Sequence, residues 1–289
     1  MQFSTVRLPS GELEWGALLA HEIALLGPTA LGSGVADSLR AAIAAGVLPT
    51  EVPSDATRLP VDAVTFAPVV PDPGKIVCVG VNYADHTTET GRQQPDAPTL
   101  FLRVADSQLG HGGEAIFPSV AQWFDYEGEL ALVIGRLAYQ VEAADALSHV
   151  AGVAPYNDFS VRDWQRATPQ WTAGKNFVAT GAFGPAMVTL DEVGPLEDVR
   201  LTTRVNGEVR QDAPLTDLVF GIGELLAHIT TVMPLRPGDV VVTGTPGGVG
   251  MFSDPPRLLA DGDVVEVAIT GVGTLRNRVV RGRAALPTW

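Results

Sequence analysis

The chain has 289 residues, 46% of them hydrophobic, enough to bury a large core in one large domain or in a large and a small one. Its 33 acidic against 19 basic side chains leave a formal charge of −14, so it lacks the basic field that a nucleic-acid or anionic-membrane binder needs. A single cysteine, Cys78, leaves no partner for an intramolecular disulfide; with no signal-like N-terminus and no apolar run of about 18 residues, a cytoplasmic protein that does not enter the membrane is expected.

In chain order, Val6 and Leu8 alternate into a Pro-Ser-Gly turn and Leu13 and Trp15 alternate out of it, which predicts a hairpin. The segment DSLRAAIAAG reads as a short helix capped by Asp37 or Ser38 and stopped at Gly46. The Pro-rich stretch 67–73 marks a boundary between a small N-terminal domain, residues 1–70, and a larger domain, residues 71–289. Two apolar runs, KIVCVGVN and ELALVIGR, predict buried strands, and EAADALSHV predicts a helix. The longest helix is expected over LTDLVFGIGELLAHITTVM, where Leu215, Leu218, Val219, Ile222, Leu225, Leu226 and Ile229 recur at three- and four-residue spacing. Beyond it GDVVVTG, DGDVVEVAIT and TLRNRVVRG are short β-branched runs broken by turns, a mainly β (α+β) pattern rather than repeating βαβ units.

Chemistry concentrates in five places. In FDYEGELALVIGR, Glu127 and Glu129 fall on one face of a strand about 7 Å apart, where two ionised carboxylates call for a cation once water is excluded. That cation is a divalent ion or, at a solvated strand end, an arginine or lysine. Asp158 in PYNDFSVRDWQ offers a third carboxylate, and three oxygen ligands suit Mg2+ or Mn2+; an Asx-turn cap is the plainer role for an Asn-Asp pair. The five histidines show no zinc spacing. In VNYADHTTE, His86 and Glu89 lie one helical turn apart, as a general base and its orienting carboxylate would, or as an ordinary surface pair. Lys175, in WTAGKNF, is either a solvated lysine or a cation for an oxyanion. The loop TGTPGGVG, residues 243–250, gathers hydroxyls and backbone N–H groups in a nest for a carboxylate, without the Gly-Lys-Ser/Thr of a Walker loop.

Taken in order, KIVCVGVNYADHTTE, DYEGELALVIGR, NDFSVRDWQ, GKNF, VNGEVRQ and LRPGDVVVTGTPGGVG resemble the fumarylacetoacetate hydrolase family over most of the chain beyond the Pro-rich stretch. The resemblance implies a rolled, mixed β-sheet and a homodimer. It implies Glu127, Glu129 and Asp158 as ligands of Mg2+ or Mn2+, His86 and Glu89 as a water-activating dyad, and Lys175 as a lysine beside the metal. Gln165 falls in the substrate-facing motif. Thr245 corresponds to a contact with the substrate carboxylate, and Gly244 beside it in the 243–250 loop is a substrate-binding candidate as well. Arg103, in FLRVADS where many relatives have lysine, is a further substrate-binding candidate. The expected reaction is hydrolytic C–C cleavage of a 2,4-dioxo acid such as an acylpyruvate. Decarboxylation, isomerisation or hydration of a small oxo acid at the same site are the alternatives, and a catalytically inactive binding protein is the alternative from a different class.

Overall fold

In the computed structural model, which describes residues 1–28, 36–89, 91 and 96–288, strands dominate and two sheets enclose the core. With strands numbered in chain order, the main path of the large sheet runs β4 (Arg58–Pro60), β3 (Glu22–Leu25), β2 (Leu13–Leu18), β1 (Gln2–Arg7), β15 (Met187–Thr189), β12 (Val150–Asp158), β11 (Gly128–Ile134), β18 (Val240–Val242), β6 (Ile76–Gly80) and β7 (Thr99–Arg103). Off this path β14 (Gly181–Phe183) pairs with β12 and with β8 (Gln108–Leu109), and β5 (Thr65–Phe66) pairs with β1. The smaller sheet runs β17 (Glu208–Pro214), β16 (Arg200–Val205), β19 (Val264–Ile269), β20 (Gly273–Gly282) and β9 (Glu114–Pro118). A two-stranded ribbon joins β10 (Phe124–Asp125) to β13 (Ser160–Val161).

The expected mainly β architecture is the one observed, and the parity of β11 shows how it is held. Leu130, Leu132 and Ile134 enter a cluster that includes Leu201 and Val267 of the smaller sheet. Ala131 and Val133 enter a second cluster with Phe3, Trp15, Leu39 and Ile43 from the N-terminal stretch. Both faces of β11 are therefore covered, which is why its sequence is an unbroken apolar run rather than an alternating one. Residues 1–70 also continue the sheet edge to edge, through the antiparallel pairing of β1 with β15.

The expected hairpin is β1 and β2, registered from Phe3 opposite Ala17 to Arg7 opposite Leu13. The first helix, α1 (Leu39–Ala45), has the expected ends: the Ser38 hydroxyl accepts the Ala41 N–H, and Gly46 closes the helix at φ 67°. Two expectations change. The stretch 142–150 supplies only a 3-10 turn at Ala146–His149, because Val150 is already paired with Ile134 as β12 begins. The long helix is α6 (Ile222–Val232), numbered after α2 (Ala84–Glu89), α3 (Arg162–Gln165), α4 (Thr172–Lys175) and α5 (Leu190–Val193). It starts seven residues later than the apolar spacing suggests. The Asn82 carbonyl and side chain accept the N–H groups of Val219 and Phe220, which keeps that segment out of the helix. Among the described residues no helix is long and apolar enough to cross a membrane.

Candidate active site

The antiparallel pairing of β11 with β12 places Gly128 opposite Asn157, so Glu127 and Asp158 meet at the end of the ladder, where the Asp158 N–H donates to the Glu127 carbonyl at 2.8 Å. Glu127 and Glu129 share a face as strand alternation requires, while Gly128 points to the smaller sheet, where a Cβ would lie 2.0 Å from the Thr203 hydroxyl. Ligand oxygens of Glu127, Glu129 and Asp158 lie within 4.8 Å of one another, and all three residues are buried. The solvated strand end considered from sequence is thus ruled out, although cations are present. Lys175 Nζ donates to Glu127 Oε2 at 2.5 Å and to Asp158 Oδ2 at 2.7 Å. Arg162 Nη1 donates to Glu127 Oε1 at 2.5 Å.

This arrangement drives the two glutamates apart in acidity. Burial alone would raise the Glu127 carboxyl, but Lys175 and Arg162 outweigh it and hold it at about 2. Glu129 lacks such a contact; burial, reinforced by the Asp158 and Glu127 charges, holds it well above the usual carboxylate range. Burial would lower the Lys175 ammonium, but Asp158 and Glu127 reverse the effect and raise it, so it stays charged.

His86 and Glu89, both on α2, come together as their spacing suggests: Nδ1 lies 3.2 Å from Glu89 Oε2. A carboxylate can only accept, so Nδ1 carries the proton and Nε2 is the basic nitrogen. Glu89 is held in turn by the Gly248 N–H at 3.1 Å, and the Phe252 ring stands edge-on to the imidazole with centroids 6.1 Å apart.

The dyad, the two glutamates, Lys175, Gln165 and Thr245 all line one cavity of about 730 Å3 except Glu89, which lies behind His86. Its remaining wall is largely apolar, with Val81, Phe101, Trp171, Met251 and Phe252. Thr245 commits its hydroxyl proton to the Gly128 carbonyl at 2.9 Å and accepts from Gln211 at 2.7 Å. Arg103, expected at the substrate, is 2% exposed and does not line the cavity: its guanidinium is ion-paired to Asp158 and donates to Thr180 at 2.7 Å. A longer, forked cation in this position reaches past the cavity wall to the carboxylate behind it.

The 243–250 loop is also spent differently from the expected nest. The Gly244 N–H donates to Glu129 Oε2 at 2.5 Å, that of Gly248 to Glu89, and that of Gly250 to Asp125 Oδ1 at 2.8 Å. Its donors orient the protein's own carboxylates, and Gly244 itself lies outside the cavity lining. Two residues of the site were not singled out from sequence, Arg162 and Asp125. A period-two count was the available clue for Asp125, since positions 125, 127 and 129 alternate together; Arg162 lies four residues after Asp158, a spacing with no strand logic.

The Fumarylacetoacetate (FAA) hydrolase C-terminal family matches residues 75–280. The mitochondrial oxaloacetate tautomerase FAHD2A of Bos taurus is 42% identical over 230 residues, 78% of this chain and 73% of that protein. The fumarylacetoacetate hydrolase of Exiguobacterium antarcticum superposes with a TM-score of 0.84 at 33% identity, covering 98% of this chain and 100% of that one. The 5-carboxymethyl-2-hydroxymuconate delta-isomerase of Mycobacterium smegmatis gives 0.79 at 30% identity, with the same coverage.

Proposed function

The chain belongs to the fumarylacetoacetate hydrolase family, and on that premise we propose that it is an enzyme interconverting the keto and enol forms of a small 2-oxo acid. The observation that carries this reading is the shared cavity, in which an oriented imidazole faces the same space as Glu127, Glu129 and Lys175, with Asp158 buried behind them. The relatives named as a tautomerase and an isomerase favour it over the hydrolysis expected from sequence.

Glu127, Glu129 and Asp158 are hard oxygen donors converging within 4.8 Å, and Glu129, whose carboxyl burial and the neighbouring charges hold well above the usual carboxylate range, is short of positive charge; this donor set fits Mg2+ or Mn2+. A divalent ion held there supplies Lewis-acid polarisation of the 2-oxo acid. His86 Nε2 takes the proton from the carbon next to the carbonyl, and the imidazolium, held by Glu89, returns it to the oxygen to give the enol. Lys175 offsets the negative charge that develops on that oxygen, and burial strengthens its effect. Gln165, fixed by Arg162 Nη1 at 3.0 Å, keeps its amide N–H2 for the substrate.

Hydrolysis of a 2,4-dioxo acid is the second reading. The same dyad could take its proton from water, and a cavity of about 730 Å3 is far larger than a four-carbon acid needs. The test follows the enol absorbance of oxaloacetate and of acylpyruvates with EDTA, and then with Mg2+ or Mn2+ restored. Faster loss of enol with no acid released supports the tautomerase; release of pyruvate from an acylpyruvate supports the hydrolase. Inactivity on every substrate with the ion restored would refute both.

A further inference from the structure

We propose that Asp125 is a positioning residue of this site, locking the Arg162 guanidinium and the Gly250–Phe252 turn into one unit that fixes Glu127 on one side and His86 on the other. The proposal rests on the reading of Glu127, Glu129 and Asp158 as a divalent-ion site. Asp125 is fully buried and outside the cavity lining, so its influence has to pass through its partners. Those partners use both of its oxygens. Oδ1 accepts the N–H groups of Gly250 at 2.8 Å and of Tyr126 at 3.0 Å. Oδ2 accepts the Met251 N–H at 2.9 Å and the Arg162 Nε–H at 2.9 Å, while Arg162 Nη2 stands 2.8 Å away as an ion-pair contact without a hydrogen bond.

From there two arms reach the chemistry. Arg162 turns its remaining nitrogen to Glu127 Oε1 and to Gln165, so the carboxylate that anchors Arg162 decides which Glu127 oxygen the guanidinium covers. The turn presents Met251 and Phe252 to the cavity and sets the Phe252 ring against His86. Gly250 bears an independent mark of the same contact: a Cβ there would lie 2.6 Å from Asp125 Oδ1 and 2.4 Å from the Arg257 carbonyl, so the turn is shaped to let the carboxylate approach. The loop also grips Glu129 and Glu89 through Gly244 and Gly248, and Asp125 is the third carboxylate held in this way.

Asp125→Asn keeps the shape and the acceptor for Gly250 but removes the charge that restrains Arg162. Released, the guanidinium is free to take both oxygens of Glu127 and compete with a bound ion. Calorimetry with Mn2+ should show affinity about 10- to 100-fold weaker, the usual scale for losing a partner that orients a ligand. At saturating Mn2+, turnover of oxaloacetate should fall while KM stays within about twofold, because the residue orients chemistry and does not touch substrate. Adding Arg162→Gln to Asp125→Asn should cost little more affinity than Arg162→Gln alone. A folded Asp125→Asn chain with wild-type Mn2+ affinity overturns the proposal. If that variant fails to fold, Arg162→Lys, a cation unable to bridge both carboxylates, must show the same weakening or the proposal falls. A wild-type chain that binds no Mn2+ fails the metal reading instead, and the two failures are thereby separated.

Discussion

At the scale of single side chains, Glu127 and Glu129 carry the same chemistry two residues apart and behave oppositely. Glu127, held at about 2, adds stability above its unfolded value near pH 4.5 that is lost as the pH falls toward 2. Glu129 is raised, so the folded chain binds its proton more tightly than the unfolded one does. Its contribution is fully present below the unfolded value and is lost as the pH rises. In EDTA, Glu129→Gln should therefore flatten the decline of melting temperature above pH 4.5 and abolish Mn2+ binding; a calorimetric scan from pH 5 to 8 with the parallel titration checks both. His86 and Glu89 form the other residue-scale unit. His86→Ala should lower turnover by about 10²-fold or more with Mn2+ affinity unchanged, and adding Glu89→Gln should cost little further, because one proton transfer is lost only once. Wild-type turnover of His86→Ala, or losses that multiply in full, would exclude the dyad. These pairs were legible because strand alternation and the helical turn fix neighbours two and three residues apart. Arg162 and Asp125 were not, since their meeting depends on the β10–β13 ribbon.

At the scale of elements, the loop following β18 distributes its N–H groups among carboxylates with different duties, and its glycines make that separable. Gly244, at φ 104°, serves Glu129, and a Cβ would stand 2.7 Å from that of Asn82. Gly248, at φ 96°, serves Glu89, and a Cβ would stand 2.0 Å from the Arg210 carbonyl. Each alanine variant should destabilise the fold by about 1–3 kcal/mol from backbone strain. Gly244→Ala should chiefly weaken Mn2+ binding, whereas Gly248→Ala should chiefly lower turnover at saturating Mn2+. Calorimetry and steady-state kinetics on both variants would show the division, and identical defects would remove it. Element boundaries were harder to read than element types. Pro155 and Gly152 disguise β12, the strand that brings Asp158 to the glutamates; pairing with β11 on one side and with β14 and β15 on the other overrides both breakers.

At the scale of the whole molecule, the N-terminal stretch covers the face of the large sheet opposite the smaller sheet, and none of its described residues lines the cavity. Ile43 is 3% exposed in the cluster that includes Val133, Tyr156 and Met187. Ile43→Ala should cost about 2–5 kcal/mol of stability and leave Mn2+ affinity unchanged, measured by denaturant unfolding beside calorimetry. Weakened Mn2+ binding in a folded Ile43→Ala chain would mean that this layer reaches the site through β11.

The sequence by itself determined the mainly β class, the parity that puts Glu127 and Glu129 on one face, the pairing of His86 with Glu89, and the ordered motifs that imply the family. All of these depend on local periodicity or on residues close in the chain. Only the tertiary structure decided that the glutamates are buried, that Lys175 and Arg162 stand between the carboxylates, and that Arg103 backs Asp158 instead of entering the cavity. Burial and ion pairing are set by contacts between residues tens of positions apart, such as Lys175 with Glu127, and the free energy of a charge depends on what the fold packs around it.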